Sequence, residues 1–281
     1  MIRRPPRSTQ GVSSAASDVY KRQPTGAWGL SMAAGLILIG IGPGGINGMT
    51  RAAIEAAKNA DYRRYEAYTA LWGQDALEGL ENEIGEIQIV MRPEVEEPVE
   101  LLELAKQSTV ALLIVGDPLQ ATTHVDLQLQ ALEAGVNCSV IHGISITGLV
   151  TGAIGLSNYR FGRQTTLTYP YGGWVATSPL EVIAMNRYQG LHTLALLDLD
   201  PTGEGVGGQI PMQPKDAANA MALMSDKLSD SIHEMSDDSV LDKMRIEACK
   251  QICQDMSDLM VVLCSDCLLY TSPSPRDKRQ S

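Results

Sequence analysis

The sequence predicts an α/β fold on a mostly parallel sheet, and three observations point there. Short apolar runs alternate with amphipathic stretches through the first half of the chain. Several of those runs end in glycine-containing turns. After a polar interruption, "SNYRFGRQ" (157–164), the alternation starts again. A pattern of this kind marks βαβ units, in which a crossover helix returns the chain so that the next strand lies parallel to the last.

"LILIGI" (Leu36–Ile41) reads as a strand buried on both faces, and "TRAAIEAAKNA" (50–60) as a helix with Thr50 at its N-cap. "EIQIVM" (86–91) reads as a strand, and "PVELLELAKQ" as a helix with Pro98 in its first turn, where a missing N–H breaks no helical bond. "TVALLIVG" is the most apolar strand, "THVDLQLQALEAG" a helix ending at Gly135, and "VNCSVIH" a further strand. Past the interruption, "TTLTY" is a strand. "TSPLEVIAMNRYQG" is a helix with Ser178 as N-cap, Pro179 at the first helical position, Glu181 closing a capping box and Gly190 past the end. "HTLALLDL" is a strand, followed by the glycine-rich loop "DPTGEGVGGQIPMQ", helices over about 214–230 and 239–255, and a last strand, "LMVVLCSD". The chain therefore divides into an N-terminal α/β domain (32–158) and a C-terminal α/β domain (159–266) whose sheet looks cut off midway.

The ends differ from the body. Residues 1–23 carry five Lys/Arg and one Asp, and the tail 267–281 three Lys/Arg and one Asp; both contain "KRQ" and are rich in Ser and Pro. No apolar segment follows the basic start as a secretion signal requires. Residues 1–31 and 267–281 read as non-native or disordered additions, resembling translated adapter, with Met32 a plausible start.

The formal net charge of −11 disfavours nucleic-acid binding, which needs clustered Lys and Arg. No apolar run approaches the roughly 20 residues of a membrane helix. Five cysteines, an odd number without a secretion signal, favour reduced thiols in the cytoplasm. Cys249, Cys253, Cys264 and Cys267 could supply four zinc thiolates, but Cys249 and Cys253 are one helical turn apart, a common packing arrangement, and no metal site is expected.

"GIGPGG" (Gly40–Gly45) matches the dinucleotide fingerprint G-x-G-x-x-G, and a nicotinamide-dependent oxidoreductase is the alternative it raises. Pro43 removes a donor from that turn, and the helix starts too late for the third glycine to sit in its first turn. No catalytic dyad or hydrolase motif is present, so the catalytic residues stay open. His192 and His233 read as structural and solvated, and His142, at a strand end, as structural before catalytic. In "GDPLQATTH" (116–124), Gly116 and Pro118 build a turn and Thr123 can cap the next helix. That leaves Asp117, Thr122 and His124 unexplained at a strand's carboxyl end, where ligands of parallel sheets gather.

"GDPLQATTH", "VIHGISI", "NYRFG" and "GLHTLALLDLD", in this order and spacing, resemble the diphthine synthases, S-adenosylmethionine-dependent methyltransferases of the tetrapyrrole methylase fold. The resemblance implies two α/β domains with the cofactor in the cleft between them and a family sequence that continues past "VVLCSD". It implies cofactor contacts at Pro43, Asp117, Gln120, Ser145, Ile146 and Leu197. It also implies methylation of the aminocarboxypropyl-histidine of translation elongation factor 2 in diphthamide biosynthesis, and a homodimer. A tetrapyrrole-precursor methylase of the cobalamin or sirohaem route is the alternative within the fold. Three features depart from the diphthine synthase pattern: the turn "GIGPGGINGMT", Gln120 where an apolar residue is usual, and Arg63 and Arg64 in the second strand. Asp117 or His124 would be placed to help deprotonate the acceptor amine.

Overall fold

The computed structural model describes residues 34–264; the leader and tail expectations, and Cys267, lie outside the described residues. β1 (Gly35–Gly40), β2 (Tyr62–Glu66), β3 (Gln88–Val90), β4 (Thr109–Ile114) and β5 (Cys138–Ile141) form one parallel sheet in the order β3-β2-β4-β1-β5. β1 and β4 are buried along their whole length because helices cover both faces. Alternate side chains serve opposite layers. Leu36, Leu38, Val110 and Leu112 face α4 (Val99–Ala105) and α5 (His124–Glu133), whereas Ile37, Ile39, Ala111 and Leu113 face α1 (Arg51–Asn59) and α2 (Gln74–Ile84). The short α3 (Arg92–Glu96) follows β3, and α6 (Ile146–Ala153) follows β5.

β6 (Thr165–Leu167) and β7 (Ala195–Leu197) form a second parallel pair, packed with α7 (Ser178–Tyr188), α8 (Pro214–Ser231) and α9 (Val240–Gln254) around Leu180, Met224, Leu228, Cys249 and Ile252. Cys249 is a core residue whose thiol burial pushes up to about 11. His192 stacks against Phe161, with ring centroids 5.5 Å apart, joining the polar interruption to the strand that leads into β7.

Several expectations are corrected. "LMVVLCSD" forms no strand among the described residues: Met260 and Val261 are 94% and 65% exposed, with no partner strand to take their backbone groups. The N-cap of α7 is Thr177, with Ser178 already helical; a proline in either of the first two positions lacks only an N–H the helix does not use, so the start moves freely by one residue. The Thr177 hydroxyl donates to Glu181 (2.9 Å), and Glu181 also accepts from Arg245, tying α7 to α9. Thr123 does sit at the N-cap of α5, but its hydroxyl makes no capping bond. Thr50 caps α1 as expected, accepting from the Ala53 N–H. Arg63 explains its place in β2: its guanidinium donates to the carbonyls of Ala57, Lys58 and Ala60, which close α1 and have no helical donor of their own.

The core placement leads to a stability test. Leu112→Ala, at a fully buried position in the middle of the sheet, should lower the unfolding free energy by about 3 kcal/mol. Val262→Ser, at an exposed position, should change it by less than about 0.5 kcal/mol. Chemical denaturation of both variants reads the difference.

Candidate functional site

The loops that leave β1, β4 and β5 meet at the carboxyl edge of the sheet. Gly42 and Gly116 exchange backbone hydrogen bonds at 3.1 and 2.9 Å, and Gly40 and Gly143 lie so close to each other and to the Gly116 carbonyl that a side chain at either is excluded. Gly42 and Gly116 have φ near +76°, where glycine is favoured. This junction holds five of the six cofactor contacts that the family resemblance implies.

Asp117 is buried and serves as the hub. Its Oδ1 accepts from the Leu119 N–H (2.9 Å), closing the turn. Its Oδ2 accepts from the Gly143 N–H (3.2 Å) and meets His142 Nδ1 at 2.8 Å. A carboxylate only accepts, so Nδ1 carries the proton and the exposed His142 ring keeps Nε2 free of that bond. Gln120 is exposed; its Oε1 accepts from the Thr147 hydroxyl (2.7 Å), which also meets Ser145 Oγ at 2.9 Å. Ser145 caps α6 by accepting from the Thr147 N–H, and Ile146 opens that helix half-buried. Pro43 follows Gly42 in the first loop, where a Cβ on the neighbouring Gly44 or Gly45 would meet nothing within 4 Å, so the backbone there faces open space. Leu197 stands apart from these five, 40% exposed at the end of β7.

Thr122 has a local role, its hydroxyl donating to the Pro118 carbonyl, and Ala121 sits in the left-handed region at φ +57°. His124 is buried where it stands. It is 1% exposed, neither ring nitrogen makes a hydrogen bond of normal geometry, and burial pulls its pKa down to about 4 against a weaker upward pull from the Pro118 carbonyl. It is a neutral ring at the start of α5.

Residues the sequence reading passed over occupy the other half of the same edge. Glu66 ends β2 with 0% exposure; its Oε1 accepts from the N–H groups of Tyr68 and Thr69, and burial raises its pKa. Arg92, just past β3, places its guanidinium 5.3 Å from the Tyr68 ring centroid. The loop that follows β7 crosses onto these residues. Arg92 donates from its backbone to Gly205 O (3.0 Å) and from Nη1 to Gly203 O (3.2 Å), and Gln209 donates to Ala67 O (2.7 Å). Asp200 pins that loop by accepting from Thr202 and Gly205. The available signal was a Glu closing one strand and an Arg following the next, both at carboxyl ends.

The family profile described as Tetrapyrrole (Corrin/Porphyrin) Methylases matches residues 35–232. The chain is 38% identical over 166 residues to the diphthine synthase of Methanoregula boonei and 38% over 168 residues to that of Methanocella arvoryzae. These matches take in 58% and 59% of this chain and 66% and 65% of those proteins, so the chain spans just under two thirds of the curated relatives it matches. A crystal structure of diphthine synthase superposes with a TM-score of 0.59 at 32% identity, covering 69% of this chain and 73% of that one. A putative diphthine synthase from Entamoeba histolytica superposes with a TM-score of 0.58 at 30% identity, covering 70% and 74%.

The buried His124 sets a pH dependence. Its folded pKa lies below the usual 6.5, so the unfolded chain binds the extra proton between about pH 6.5 and 4. The penalty is absent above that window, grows as pH falls through it, and is complete below pH 4, reaching on the order of 3 kcal/mol. Urea denaturation across this range should show the slope in the parent chain and a flatter one in His124→Leu.

Proposed function

We propose that this chain, which belongs to the tetrapyrrole methylase family, carries out the reaction its diphthine synthase relatives are named for: methyl transfer from S-adenosylmethionine to the aminocarboxypropyl-histidine of translation elongation factor 2. The observation that carries this reading is the likeness to a diphthine synthase crystal structure in both sequence and fold, at 32% identity across 69% of the chain. The two sheets are read as two α/β domains, 32–158 and 159–266, acting in the cytoplasm as a homodimer without nucleic acid or membrane.

The residues at the carboxyl edge fit the cofactor. Pro43, Asp117, Gln120, Ser145 and Ile146 surround a junction whose glycine loop has open space above Gly44 and Gly45. Leu197 supplies an exposed apolar surface from the second sheet. Bound there, S-adenosylmethionine supplies a methyl group on a positive sulfur, which leaves as a neutral thioether when the acceptor nitrogen attacks. Such a displacement needs alignment, closeness and exclusion of water more than it needs an acid or a base. The chain provides the alignment: Asp117 is fixed by three donors, and Gln120 is fixed through Thr147 and Ser145.

Calorimetry should show S-adenosylmethionine binding and no NAD binding; NAD binding alone would overturn the reading in favour of an oxidoreductase. Incubation with elongation factor 2 carrying the unmethylated precursor should add methyl mass in the mass spectrometer. Methylation of a tetrapyrrole precursor, with none on the factor, would transfer the assignment to the other branch of the family.

A further inference from the structure

The carboxyl edge of the five-stranded sheet divides in two. The cofactor junction occupies the ends of β4, β1 and β5. The ends of β2 and β3, next in the strand order beside β4, carry Glu66, Tyr68 and Arg92. Three buried polar atoms there lack hydrogen-bond partners: Glu66 Oε2, the Tyr68 hydroxyl and Arg92 Nε. The nearest carboxylate oxygen to Arg92 Nε is on Glu96 at 3.8 Å, beyond hydrogen-bond reach. An acceptor-only oxygen, a phenol and a guanidinium N–H, all unsatisfied and out of water, form an expensive arrangement in a folded chain.

The chemistry of the three atoms defines what would satisfy them. Glu66 Oε2 accepts from an amine N–H. Arg92 Nε donates to a carboxylate, with the Tyr68 hydroxyl as a second donor. One group that carries an amine and a carboxylate on neighbouring positions is an α-amino-acid head. The Tyr68 hydroxyl neighbours the Glu96 and Thr123 side chains, and those two line an open groove of about 460 Å³ beside the cluster, which the three residues do not themselves line. On its other side, the Thr202–Gly208 loop lies on Arg92: the Gly205 carbonyl accepts from its backbone N–H, and the Gly203 carbonyl accepts from Nη1, a bond that a ligand carboxylate can replace.

We propose that Glu66, Tyr68 and Arg92 seat the methyl acceptor by recognising its α-amino-acid head, with Arg92 and Tyr68 donating to the carboxylate and Glu66 accepting from the amine. This rests on the methyltransferase reading above, in which the acceptor is an aminocarboxypropyl group. It places the nucleophilic nitrogen one strand from the cofactor junction, on the same sheet edge.

Three small probes test the proposal on the unaltered chain saturated with S-adenosylmethionine: L-2-aminobutyrate, butanoate (no amine) and propylamine (no carboxylate), titrated by NMR. L-2-aminobutyrate should bind at least about tenfold more tightly than either single-function probe, the loss expected for one charge-assisted hydrogen bond in a buried site. Arg92→Lys should reduce its advantage over propylamine, and Glu66→Gln its advantage over butanoate, in variants whose circular dichroism and S-adenosylmethionine affinity match the parent. Equal binding of the three probes, or no binding of L-2-aminobutyrate to the cofactor-loaded chain, would overturn this proposal and leave the methyltransferase reading intact. Failure of S-adenosylmethionine itself to bind would remove the reading on which it rests.

Discussion

At the carboxyl edge of the sheet, the backbones of Gly40, Gly116 and Gly143 lie closer together than side chains permit. A Cβ on Gly40 would stand 2.4 Å from the Gly143 nitrogen, and one on Gly143 would stand 2.1 Å from the Gly116 carbonyl oxygen. Overlap of that size requires backbone displacement, so contact demands glycine at positions 40 and 143, and the positive φ favours it at 116. The consequence is geometric. With the three strand ends drawn together, the Asp117 carboxylate from one loop reaches the Gly143 N–H and the His142 ring of another. The Gln120–Thr147–Ser145 chain then links the second and third loops a few residues farther out.

That junction also decides how the edge is shared. β1 lies between β4 and β5, and its loop turns back against Gly116, which leaves the β2 and β3 ends for the long loop arriving from β7. The two halves satisfy their polar groups differently. Around Asp117 the acceptors are used by neighbouring donors. Around Glu66 and Arg92 several are not, and the covering loop supplies carbonyl oxygens to Arg92 alone. A fully satisfied network is rigid and holds a ligand in one pose, whereas unsatisfied buried groups have their bonds still to make.

Elements whose burial is two-sided were legible. β1 and β4 are continuous apolar runs because helices cover both faces of the sheet, and their neighbours follow from the alternation. Elements with one exposed side were harder to read. α2 has Gly73 at its N-cap, with no side-chain cap, and carries four Asp and Glu along its mostly exposed surface, and α6 is rich in Gly and Thr, poor helix formers held by tertiary contact. "LMVVLCSD" has strand composition, but pairing needs a partner, which local sequence does not encode. Of the site, the loops with turn chemistry stood out. Glu66 and Arg92 did not, because a single charge beside a short strand looks like surface until the covering loop, more than a hundred residues away in sequence, is placed over it.

Under the proposed methyl transfer, the absence of a recognisable catalytic dyad in the sequence follows from the chemistry. Acyl and phosphoryl transfer develop charge that must be stabilised, and they leave motifs of acids, bases and oxyanion donors. Transfer of a methyl group from a sulfonium to an amine moves positive charge from one side to the other, and no anion accumulates. What such an enzyme must supply is two fixed seats in line and the exclusion of water between them. On that reading the seats would be built from strand ends, turns and buried polar atoms scattered along the chain, such as Asp117 and Glu66, which the fold brings to one edge. His124 shows the converse: it is the most conspicuous residue of its motif, yet it is a buried neutral ring, while the Asp117 carboxylate makes the hydrogen bonds that join the loops.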